Sequence, residues 1–66
     1  MKNYDKQNLI ISIENSMDFI EFYLESADET IAFILKKYGV KNLTSASIYT
    51  LQDIFNELYA IEADLC

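Results

Sequence analysis

At 66 residues the chain is one domain at most, and with 52% hydrophobic side chains it is too apolar for a disordered acidic tail. The net charge is −6; all five cations are lysines (Lys2, Lys6, Lys36, Lys37, Lys41), and there is neither arginine nor histidine. This balance argues against direct nucleic-acid binding and against anionic membrane surfaces, while the lone Cys66 excludes an intrachain disulfide and leaves no zinc ligand set.

The N-terminal segment shows no targeting signal, since its apolar run is broken and no small-residue cleavage site follows. No stretch approaches the ~18 uninterrupted apolar residues of a membrane-spanning helix. With a single terminal thiol, the expectation is a cytoplasmic protein. A core this small leaves only about 3–5 kcal/mol of net stability, so association with a partner is the expected supplement.

Met1 to Asn3 are expected to fray, and Asp5 to cap the first helix. Helical periodicity then runs to Tyr38. Nine residues form one apolar stripe: Ile10, Ile13, Met17, Ile20, Leu24, Ala27, Ile31, Ile34 and Tyr38. Their gaps alternate three and four without a slip, the spacing of one helix face. Strands are not expected, because period-two alternation is absent.

Ser26 is the ambiguous point. Ser26-Ala27-Asp28-Glu29 matches the S-x-x-E capping box that starts helices. Yet no Gly or Pro interrupts the region, and the stripe crosses it in phase. Two readings stand. An unbroken helix over 5–38 would be ~50 Å long and need a second chain to cover its stripe. A break near 26–28 would give three helices able to close as a monomer.

Gly39, the only glycine, follows the last stripe residue and suits a left-handed helix end. Lys36 and Lys37 lie in the final turn, and Val40 is placed for the hydrophobic contact of a Schellman motif. A connector over 40–44 leads to a last helix expected at about 45–64, capped by Thr44 or Ser45. Ile48, Leu51, Ile54, Phe55, Leu58, Ile61 and Leu65 make its apolar face.

Two further faces are candidate partner-binding surfaces. Glu14, Asp18, Glu21, Glu25 and Asp28 recur at four–three spacing with no local lysine. They read as a solvated face, as a dock for a basic partner, or, with help from Asp53, Glu57, Glu62 or Asp64, as an imitation of a nucleic-acid backbone. Phe19, Phe22 and Phe33 gather on the other flank, with Tyr23 between them and the stripe. They read as core against the last helix or as an interface. Tyr49 and Tyr59 are expected at amphipathic edges, hydroxyl in water.

Catalysis lacks its usual parts. There is no histidine for general acid–base work, no glycine-rich phosphate loop, no Glu-x-x-His motif for a di-metal site and no calcium loop. A helix-turn-helix over 31–49 fails, because its second helix would carry no Lys or Arg.

Leu35-Lys36-Lys37-Tyr38-Gly39-Val40 and Glu57-Leu58-Tyr59-Ala60-Ile61-Glu62-Ala63-Asp64-Leu65 prompt one resemblance. The segment from Thr30 to Leu65 resembles small uncharacterised acidic helical proteins of Gram-positive bacteria and their mobile elements. The resemblance covers about half the chain, rests on helix-end and core signals, and implies no particular activity.

The expectation is thus an all-α bundle of two or three helices, one domain over 1–66, possible as a homodimer. It has no catalytic, cofactor or metal site and no evident small-molecule substrate. Its expected role is protein–protein interaction through Phe19, Phe22, Phe33, Glu14, Asp18, Glu21 and Glu25. The alternative is an acidic nucleic-acid mimic that inhibits a DNA- or RNA-handling enzyme, of the anti-restriction or anti-CRISPR type.

Overall fold

The apolar stripe folds into two helices rather than one. A computed structural model describes residues 2–65, in which α1 (Lys2–Tyr23), α2 (Ala27–Lys37) and α3 (Ile48–Leu65) follow in order, with a 3₁₀ turn at Leu43–Ser45 before α3. No strand occurs among the described residues; Met1 and the Cys66 thiol lie outside them.

Two long-range contacts set the topology. Lys6 Nζ donates to the Thr44 carbonyl oxygen at 3.0 Å, just before α3 begins, and the Ser16 hydroxyl donates to Glu62 Oε1 at 2.9 Å, near its end. α1 and α3 therefore run the same way, and α2 returns between them, an up-down-up bundle.

All nine stripe residues are wholly or partly buried. Ile13, Ile20, Leu51, Ile54 and Leu58 are fully buried, and Ala27, Ile31 and Ile34 complete the core. Each fully buried Ile or Leu contributes roughly 1.5–3 kcal/mol relative to exposure. One chain covers the stripe, so its burial does not itself require a second copy.

The break falls at Leu24–Ser26, slightly before the expected 26–28. It uses no positive φ: Ser26 sits at φ −92°, ψ 26°, and the Ala27 amide closes a tight turn onto the Leu24 carbonyl at 3.2 Å. The capping box itself does not form. Ser26 occupies the N-cap position, but its side chain makes no capping bond. Its ψ lies far from the extended backbone that a capping serine adopts.

The far end of α2 closes as expected. Gly39 takes φ 67°, the Val40 amide donates to the Leu35 carbonyl at 2.9 Å, and the Gly39 amide donates to the Lys36 carbonyl at 3.0 Å. That pair of bonds is the Schellman motif.

Two helix starts differ from expectation. α1 begins at Lys2, so Asp5 lies inside the first turn and complements the helix dipole instead of capping. α3 begins at Ile48 rather than near Ser45, because Leu43–Ser45 wind into the 3₁₀ turn. Its cap is Ser47, whose Oγ accepts from the Thr50 amide at 3.2 Å.

Candidate interaction surface

The flanks of α3 face different neighbours. Glu57 faces α2, held by Lys37 Nζ at 2.7 Å and by the Tyr38 hydroxyl, which donates to it. Glu62 faces α1 through Ser16. At 100° per residue, Phe55 and Tyr59 share the Glu62 flank, while Phe19 and Tyr23 lie beyond Ser16 on α1. These four aromatics border the outer edge of the α1–α3 seam, away from α2.

Each set stacks along its own helix. The Phe19 and Tyr23 ring centroids are 4.7 Å apart, Phe22 meets Tyr23 edge-on at 4.8 Å, and Phe55 stacks on Tyr59 at 6.0 Å. Phe19 and Phe55 are half-buried. Phe22 is 79% exposed, and Tyr23 and Tyr59 are also exposed. The α1 rings are therefore not core, although intrahelical stacking gives them a fixed shape at little entropic cost.

Phe33 stands apart. Its alignment with Phe22, eleven residues earlier, holds only on an unbroken helix. The break moves it to α2, where it is exposed at 66%. A core role for Phe33 against α3 is thereby excluded, because the α2 face toward the core is already filled by Ala27, Ile31 and Ile34.

The acidic row is shortened by the same break. Glu14, Asp18 and Glu21 remain on the exposed flank of α1 away from α3, Glu25 lies in the turn, and Asp28 starts α2. None of the five pairs with a lysine among the described residues, where the one ion pair is Lys37–Glu57. Asp28 and Glu29 complement the α2 dipole. Phe22 lies between the two surfaces, one helical turn from Asp18 on α1, with Glu25 in the turn that follows. Ile11, exposed and eleven residues before Phe22, shares its angle and extends an outer ridge through Asn15 and Asp18.

The Lys37–Tyr38–Glu57 cluster is the site with perturbed titration. The Tyr38 phenol is pushed up to about 12, chiefly because its proton bonds to Glu57, with burial and the Glu57 and Asp53 charges adding to it. The Glu57 carboxyl is held below the usual range by the bond from Lys37 and then that from Tyr38. The cluster ties the end of α2 to α3, a structural task. Two of the four acids expected to assist nucleic-acid mimicry, Glu57 and Glu62, are thus engaged within the fold.

Ser16 was not legible as a contact residue, although its place between Ile13 and Ile20 on the inward face was a signal. An open depression of about 440 Å³ lies at the end of α2, its apolar floor including Leu35 and Val40 and its rim Lys36 and Lys41. No group of carboxylates or thiols able to hold a metal occurs among the described residues, and no helix there is long and apolar enough to cross a membrane. Neither a protein-family model, nor a curated protein, nor a solved structure matches the chain.

Proposed function

We propose that this chain is a non-catalytic interaction module that docks on a protein partner through the exposed end of α1. The observation that carries this reading is Phe22. It is 79% exposed, braced by Tyr23, and beside Asp18 and Glu21, which pair with no lysine among the described residues. An aromatic anchor with a charged rim is the usual anatomy of a binding hot spot. The rim is acidic, so the fitting partner surface is basic around an apolar hollow. Phe33 is a second exposed ring, on a separate helix.

The test is capture from the native host with the wild-type chain and with Phe22→Asp as baits. Helicity should be unchanged in Phe22→Asp, because the ring is outside the core. Its specific partner should be lost. A partner retained in full by Phe22→Asp would remove this reading.

The second reading, a nucleic-acid mimic, is favoured by the row Glu14, Asp18 and Glu21, which pairs with no lysine among the described residues. It makes binding depend on charge rather than on the ring. Converting Glu14, Asp18, Glu21 and Glu25 to Gln or Asn would then abolish binding, and salt would weaken it steeply. Contact through Phe22 predicts the milder response to both.

A further inference from the structure

We propose that Leu24–Ser26 is a hinge through which two copies of this chain exchange α1, forming a dimer in which α1 and α2 join as one helix. Four observations meet at this segment. The three–four stripe stays in phase from Ile20 through Leu24 and Ala27 to Ile31. A bend that never straightened would not require that phase. Leu24, Glu25 and Ser26 include no glycine or proline, and no described non-glycine residue has positive φ. The Ser26 side chain makes no capping bond. The other end of α2, by contrast, is locked by Gly39 at φ 67° and its Schellman bonds.

Neither the bent nor the straight form needs a positive φ at the hinge. Ser26 ψ turns from 26° toward the helical value, a change of roughly 70°. Lys2 to Lys37 then form one helix of ~54 Å. The opening carries α1 off its own α2–α3 pair and uncovers Ile13 and Ile20 on one side and Leu51, Ile54 and Leu58 on the other. Only a second opened copy presents the matching surfaces residue for residue, which commits the occupant to this chain itself. The exchange keeps the core contacts and makes the Ser16–Glu62 and Lys6–Thr44 bonds intermolecular. Lys37 and Tyr38 stay with Glu57 of their own chain. Exchange of an identical element is a low-cost route to a dimer, and mass action sets its extent.

The experiment mixes isotope-labelled and unlabelled full-length chains in denaturant with a reductant, refolds them together at millimolar concentration, and measures mass by light scattering. Isotope-filtered NMR then asks whether methyl contacts between the α1 and α3 core residues cross between chains. The expected result is a dimer that dissociates on dilution, with those contacts intermolecular. Ser26→Ala should raise the association constant about fivefold, as the better helix former at both hinges, and Ser26→Gly should lower it by a similar factor. A strict monomer at millimolar concentration overturns the proposal. So does a dimer whose α1–α3 contacts stay within each chain. Neither outcome decides the Phe22 reading, which is tested separately by capture with Phe22→Asp.

Discussion

The Ser16 hydroxyl donates to Glu62 at 2.9 Å across 46 residues of sequence, joining α1 to α3 on the aromatic side of their seam. Ser16 is 5% exposed, the one polar residue buried among the described residues, and Glu62 is its acceptor. A buried hydroxyl needs such a partner, so this bond fixes the register of two helices otherwise held by apolar packing.

Ser16→Ala is expected to destabilise the fold by about 1 kcal/mol, less than a fully buried charged bond because Glu62 is only half-buried and can be hydrated. Urea unfolding followed by circular dichroism measures this. In a domain this small it corresponds to a fall of roughly 4–8 °C in Tm.

Ile20→Ala removes a fully buried side chain and is expected to cost about 2–5 kcal/mol. That is comparable with the whole stability of a domain this size, so the variant should be largely unfolded at room temperature. Ile11→Ala is the control. Its side chain is 54% exposed, and its effect should stay within about 0.5 kcal/mol.

Gly39→Ala tests the helix end. Nothing lies within 4 Å of an added Cβ, so the cost is conformational and not steric. At φ 67° it is about 1 kcal/mol, and Gly39→Asn should cost less. Thermal unfolding of the two variants checks the order.

The Tyr38–Glu57 bond predicts two pH limits. Glu57 has a lowered pKa in the fold, so its contribution is present above its unfolded value of 4.5 and is lost as pH falls through the lower folded value. Tyr38 has a raised pKa, so its contribution is full below 10.0 and is lost as pH rises toward about 12. The stability difference between the wild type and Tyr38→Phe should be constant just below pH 10.0 and shift against the wild type as pH rises toward about 12. Parallel profiles across that window would dismiss the bond as a source of alkaline sensitivity.

Much of the fold was legible because it rests on local rules. The end of α2 follows from one glycine placed after two lysines, and the inward faces follow from three–four spacing. Ser26 shows where local reading stops. A capping box and an uninterrupted apolar phase pointed opposite ways, and both are short-range signals of similar weight. The surface was less legible. Phe22 and Phe33 share an angle on one continuous helix, but the break puts them on different helices, so a wheel drawn through it misplaces one of them.

The sequence by itself determined that the chain is helical, where α2 ends, and that nine residues face inward, because spacing and backbone preference act over a few residues. Tertiary structure decided that the stripe bends at Leu24–Ser26 and closes on α3. It also decided that Glu57 and Glu62 are engaged while Glu14, Asp18 and Glu21 make no ion pair among the described residues, and that Phe22 is left outside. Those outcomes depend on which segments meet across 19 to 46 residues of chain, and pairing at that range is set by the fit of whole faces rather than by any local pattern.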